Sequence, residues 1–175
     1  MKISNIDASA TATNKNEVVM NIFSTNVSVY DGVTDNKGRV MCLRDFLFSH
    51  EHQYEIQMLR HLENKEERDG WKRKLPQATI GGVFQPTRAI PNLQTSSGLI
   101  CIDIDAKENP EISDWDDLKN KLAVIPQIAY CSLSVSANGL FAIIPLCYPD
   151  KHLLHFRQLQ SDFWRMGIII DAACS

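Results

Sequence analysis

At 175 residues the chain is long enough for one sizeable domain and too short for two enzyme domains of ordinary size. Its composition, 44% apolar and 22% charged, sets disorder aside for most of the length. A formal net charge of −3 excludes the uniformly basic surface of a general nucleic-acid coat, so any contact with a polyanion has to be local.

Five cysteines, Cys42, Cys101, Cys131, Cys147 and Cys174, are odd in number and show no CxxC pairing. Most sit among apolar neighbours and read as buried free thiols of a reducing compartment. No run approaches the ~18–20 apolar residues of a membrane span, and residues 1–20 lack the apolar centre of a signal peptide. A cytoplasmic protein with no membrane partner is expected.

Residues 1–17, rich in Ser, Thr, Ala and Asn, read as a flexible arm, and the domain as residues 18–175. Its first part, 18–97, opens with a strand over 27–33, a turn at 35–38 and a hairpin partner over 39–43. Leu43, Phe46 and Leu47, then Ile56, Leu59 and Leu62, recur at helical spacing and predict two helices, followed by a charged, solvated stretch. The basic run Lys72, Arg73, Lys74 precedes a glycine-containing strand over 78–84. Those cations suit either a phosphate contact or the negative end of a helix dipole.

The second part begins with GLICIDID at 98–105. Leu99, Ile100, Ile102 and Ile104 suit a central strand covered on both faces. Side chains two apart on a strand point the same way, so Asp103 and Asp105 share a face at its carboxyl end. Two such carboxylates, completed by the phosphates of a nucleotide, can hold Mg²⁺ or Mn²⁺; the alternative is one turn cap and one solvated acid. Ser113, with Asp116 three residues on, predicts a helix start, and Pro126 its end. Runs over 128–136 and 140–146 predict a hairpin turning at 137–139, where Asn138 and Gly139 can adopt positive φ. Pro149 opens a further helix with Leu153, Phe156, Leu159, Phe163 and Met166 on its apolar face and Gly167 as its stop. A strand over 168–171 would bring Asp171 beside the first two acids. Strand, helix, hairpin, helix, strand is the order of the β-α-β-β-α-β family of plaits without one strand. Three carboxylates in one place suit two-metal phosphoryl or nucleotidyl transfer.

Three motifs carry a resemblance to a known family. The apolar run with Asp103 and Asp105, the segment 132–141 with its serines and glycine turn, and the run 167–171 ending in Asp171 resemble the archaeo-eukaryotic primase superfamily. Within it they are similar to the primase-like domain at the N-terminus of VirE-type proteins of Bacteroides mobile elements. Lys74, Leu75 and Pro76 through Gly82, Val83 and Phe84 also look like the lead-in of that subfamily. The resemblance covers residue 27 to the end.

It implies an α+β fold, a primase-like core with an N-terminal α/β part and an RRM-like part over 98–175. It implies primer or DNA synthesis with Mg²⁺ or Mn²⁺, a nucleoside triphosphate and a single-stranded DNA template in mobile-element or plasmid replication. By that pattern Asp103, Asp105 and Asp171 hold the metals, Ser134 and Ser136 lie on the nucleotide-facing strand, and Lys74 and Arg88 are candidate phosphate contacts. Where the family's second motif ordinarily carries a histidine for the triphosphate, this chain has Phe141, which can neither donate a hydrogen bond nor carry charge. Either Lys72, Arg73, Lys74 or Arg88 substitutes, or the domain binds without efficient synthesis. Larger members continue beyond the third motif, so a core shortened at its C-terminus is expected. G-x-x-x-x-G-K-[ST] is absent, and ATP-driven unwinding would need a separate P-loop helicase or ATPase partner.

Other chemistry is less well supported. His50 with His52, and His152 with His155, lack a third ligand at zinc-finger spacing. Ser134 and Ser136 lack a G-x-S-x-G setting. Trp115 and Trp164 fall on amphipathic helices, where core packing is the expected use. Two rival functions remain: a noncatalytic nucleic-acid or partner-binding module on a degenerate primase fold, and a metal-dependent sugar-nucleotide transferase, which leaves the second and third motifs unexplained.

Overall fold

The computed structural model describes residues 22–172, so the expected N-terminal arm lies outside the described residues, as does Cys174. Within them the chain is α+β, with five helices and three small antiparallel sheets.

The first sheet has the order β2-β1-β3, from Asn26–Tyr30 (β1), Arg39–Cys42 (β2) and Gln77–Thr79 (β3). Val27 and Val29 of β1 are fully buried, as expected of a central strand. The helices Leu43–Leu47 (α1), Gln53–His61 (α2) and Lys65–Lys72 (α3) follow β2. The third was not expected, because α3 buries no residue and carries no apolar stripe. Its start is set instead by Asn64, whose side chain accepts a hydrogen bond from the Glu67 backbone N–H at 3.1 Å.

The strand expected over 78–84 is two strands. β3 ends at Thr79, and Gly82–Phe84 (β4) pairs with Leu93–Ser96 (β5) in a separate ribbon. The buried Ser28 hydroxyl accepts from the Phe84 N–H at 2.8 Å and donates to the Phe84 carbonyl at 3.3 Å, tying β4 to β1. Gly82 has φ +153°, and a Cβ there would sit 2.2 Å from the Thr95 carbonyl oxygen, so the close pairing of β4 with β5 needs glycine.

The third sheet, Leu99–Asp105 (β6), Tyr130–Leu133 (β7) and Gly139–Pro145 (β8), has the order β6-β8-β7, with β8 antiparallel to both neighbours. Helix Trp115–Ala123 (α4) links β6 to β7, and β8 folds back between them, the split β-α-β arrangement of the expected plait. One face of β6 sends Ile100, Ile102 and Ile104 against Leu122 of α4 and against Phe156 and Phe163 of His152–Arg165 (α5). Leu99 and Cys101 on the other face pack with Ile143, Val27, Val29, Leu43 and Ile80. The sheet is therefore a middle layer between two helices and the N-terminal half. Ile102→Ala is expected to cost about 2–5 kcal/mol, read as a fall in denaturant midpoint.

Local details differ from the sequence expectation. Asp114 rather than Ser113 caps α4, accepting from the Asp117 N–H at 2.8 Å. In the hairpin loop the positive φ falls on Ala137, at +59°, not on Asn138 or Gly139. Gly139 is required for space: a Cβ there would lie 2.6 Å from the Ile104 carbonyl oxygen and 3.1 Å from Asp105 Oδ1. Trp115 packs on the core, whereas Trp164 is 68% exposed. Cys42, Cys101 and Cys131 are half-buried, but Cys147 is exposed.

Residues 168–171 do not form a ladder strand. They place Ile168 and Ile170 in the core, and the Asp171 N–H donates to the Asp103 carbonyl at 2.8 Å. The reason is Asn109, fully buried in the turn after β6. Its side-chain oxygen accepts from the Ile169 N–H at 2.7 Å, and its Nδ2 donates to the Ile169 carbonyl and the Asp105 carbonyl, each at 2.9 Å. An amide side chain thus takes the place of a strand partner. No helix among the described residues is long and apolar enough to cross a membrane.

Candidate functional site

The alternation of β6 puts Cys101, Asp103 and Asp105 on the face turned toward the N-terminal half. Directly opposite on β8 are Ile143, Phe141 and Gly139, and beyond them on β7 Ser132 opposes Phe141. Asp103 and Ser132 line a cleft of about 500 Å³ between this face and the N-terminal elements. Its far wall includes Leu75, Pro76, Ala78 and Ile80, and Arg39, His52 and Arg60 stand among its polar groups. Tyr130 and Phe141, rings 5.7 Å apart, form an aromatic part of its lining. The volume falls in the range of small-molecule pockets.

Asp105 lies beyond Asp103, exposed at the strand end. Partial burial pushes its carboxyl above the usual value of 3.8, and the charges of Glu108 and Asp171 push it further, against the pull of Lys72 and Lys107. Asp171 is therefore within electrostatic reach of Asp105 and bonded through its backbone to Asp103. The backbone thus brings the Asp171 segment beside the strand that carries Asp103 and Asp105. Among the described residues no group of three or more His, Cys, Asp and Glu side chains is gathered closely enough to cage a metal ion. Asp103 and Asp105 are hard oxygen donors of the type Mg²⁺ or Mn²⁺ takes, and any such ion would have to draw its remaining ligands from phosphate and water.

Raised carboxyls cost stability once charged. Below 3.8 Asp105 is protonated folded and unfolded alike, and its cost to the fold sets in as pH rises toward the higher folded value. Asp105→Asn is accordingly expected to raise the melting temperature at neutral pH, with the advantage shrinking as the pH approaches 4, measured by thermal unfolding across that range.

The remaining candidates separate. Ser134 lines the cleft, whereas Ser136 is buried behind it with its hydroxyl 3.5 Å from that of Ser134. Lys74 lies over the Trp71 ring at 5.2 Å, and Arg88 over the Tyr30 ring at 5.1 Å with an N–H to Gln77 Oε1 at 3.2 Å. Neither is among the residues lining the cleft. Of the basic run, Lys72 is the residue whose charge reaches Asp105.

The family model described as BT4734-like, N-terminal domain, matches residues 70–165, more than half of the chain. The chain belongs to the BT4734-like N-terminal domain family. No curated protein and no solved structure gives a match. The BT4734-like match runs from the end of α3 to the end of α5 and contains Asp103, Asp105, Ser132, Ser134 and Phe141. Asp171 lies just past it.

Sequence reasoning quoted Ser132 only as the start of a motif and missed Asn109 and Arg60, the latter outside the BT4734-like match. Ser132 was within reach, since it alternates with Tyr130 on the strand that faces Phe141. Gly139 adds a tight constraint on the acids. Gly139→Ala is expected to displace β8 from Ile104 and Asp105 and to cost about 1–3 kcal/mol, measured by chemical unfolding, because the atoms it meets include rigid backbone.

Proposed function

We propose that this BT4734-like domain is a primase-polymerase-like module that binds a nucleoside triphosphate, a divalent cation and a single-stranded DNA template. The observation that supports the reading is that Asp103 and Asp105 share one face of β6, Asp103 beside a pocket large enough for a nucleotide, with the Asp171 segment bonded through its backbone to Asp103. Asp103 and Asp105, supported by Asp171, would hold Mg²⁺ or Mn²⁺ together with the phosphates. A bound dication supplies charge neutralisation for phosphoryl transfer. The mutual repulsion around Asp105 favours the reading, since a cation relieves it.

The chain's own residues divide the remaining work. The apolar cleft wall and the Tyr130 and Phe141 rings offer a surface for a flat base, and Ser132 and Ser134 offer hydroxyls to sugar or phosphate. Primer synthesis and extension with Mg²⁺ or Mn²⁺ test the catalytic reading: incorporation is expected, and its absence together with absent nucleotide binding would defeat it.

One observation favours the noncatalytic alternative. Phe141 stands directly across from Asp103 and packs on Tyr130, so an apolar ring occupies the position of the expected phosphate-binding histidine. A pure binding module would retain nucleic acid and incorporate nothing. Phe141→His is expected to raise incorporation several-fold at slightly acidic pH, where the imidazole beside the Asp103 carboxylate is protonated. No gain, with template binding intact, would favour the binding module.

A further inference from the structure

On the nucleotide reading above, a cation has to meet a polyphosphate in the cleft. Three basic side chains line it: Arg39, His52 and Arg60. Arg39 is engaged by the Asp31 carboxylate, and His52 stands 3.9 Å from the Glu55 carboxylate. Arg60, exposed at the end of α2, has no carboxylate within ion-pair distance among the described residues. Its guanidinium instead donates to two neutral carbonyls of the β7–β8 loop, Nε to Val135 O at 3.0 Å and a terminal nitrogen to Ser134 O at a long 3.4 Å.

We propose that Arg60 is the phosphate-binding cation of this cleft. The inference rests on the nucleotide reading above and assigns a residue to it. A guanidinium fork bound to carbonyls is already oriented, and exchange onto phosphate replaces weak neutral acceptors by bidentate charge-assisted ones. The negative groups facing the cleft are Glu51 and Asp103. A triphosphate with its near oxygens on the Arg60 fork would turn its far end toward Asp103, which with Asp105 would hold the dication that neutralises it. Release of Arg60 would also free the loop that carries Ser134 to follow the ligand.

Calorimetric titration with Mn²⁺ present tests it, using inorganic triphosphate, a deoxynucleoside triphosphate, the corresponding deoxynucleoside and a single-stranded oligonucleotide. The proteins are wild type, Arg60→Ala, Arg60→Lys and, as a charge control on a different helix, Arg165→Ala, each checked for folding by thermal unfolding. Arg60→Ala is expected to weaken both triphosphates by roughly tenfold to a hundredfold and to leave the deoxynucleoside unaffected. Arg60→Lys is expected to recover part of the loss, and Arg165→Ala to lose nothing. Equal triphosphate affinity in wild type and Arg60→Ala would overturn the assignment while leaving the nucleotide reading standing. Loss confined to the oligonucleotide would overturn it in favour of a template contact. A wild type that takes up neither triphosphate would bring down the nucleotide reading and the assignment together.

Discussion

Asn109→Ala is expected to lower stability by about 3–4 kcal/mol and the melting temperature by roughly 10 °C. The Asn109 side chain is fully buried and makes hydrogen bonds to one backbone N–H and two carbonyls. Its removal leaves the Ile169 N–H and carbonyl without that partner, each at about 1–3 kcal/mol before relaxation, while the Asp105 carbonyl keeps the backbone N–H groups of residues 108 and 109. The functional effect should exceed that of an equally destabilising core change. Asn109 fixes the segment that carries Asp171 to the turn that follows Asp105, so its loss loosens the acid edge itself. Differential scanning calorimetry supplies the first number, and Mn²⁺-dependent nucleotide affinity, compared with an Ile102→Ala variant of matched stability, supplies the second.

Asp103→Ala combined with Asp105→Ala is expected to reduce primer extension at least about a hundredfold, the loss associated with removing a charge-stabilising group from a transfer site. The fold should survive. Asp105 is exposed and crowded by Glu108 and Asp171, so removing its charge relieves repulsion. Loss of extension in a variant that melts no lower than wild type would separate chemistry from folding. The extension rate, read on a labelled primer beside the melting curve, makes the comparison.

The middle sheet was legible because its signals are local. The run of Leu99, Ile100, Ile102 and Ile104 implies a strand covered on both faces, and all four side chains are buried. Likewise Phe156 and Phe163, at helical spacing, meet the core from α5. What escaped was held by partners remote in sequence or lacked an apolar face. Strand β5, Leu93–Ser96, is exposed throughout, and only its pairing with β4 defines it. Helix α3 buries nothing, although Asn64 with Glu67 three residues on is a start signal that could have revealed it.

The site divides along the same line. Asp103 and Asp105 follow from period-two alternation within one strand, and Asp171 from an apolar run ending in an acid. The contacts that organise them do not, since Asn109 reaches Ile169 and Arg60 reaches Val135 across 60 and 75 positions of chain. In the sequence Asn109 is an ordinary turn residue between Glu108 and Pro110, and Arg60 an ordinary helix-end cation. Lys74 and Arg88 stand over the rings of Trp71 and Tyr30, contacts with no local sequence signal.

The most direct measurement is calorimetric titration of a nonhydrolysable deoxynucleoside triphosphate into the wild-type domain, with Mn²⁺ and then with chelator. Saturable one-to-one binding that requires Mn²⁺, and that Asp103→Ala with Asp105→Ala abolishes, is the expected result. Absence of binding in the wild type, or binding indifferent to the cation and to both aspartates, would contradict a nucleotide site built on these carboxylates.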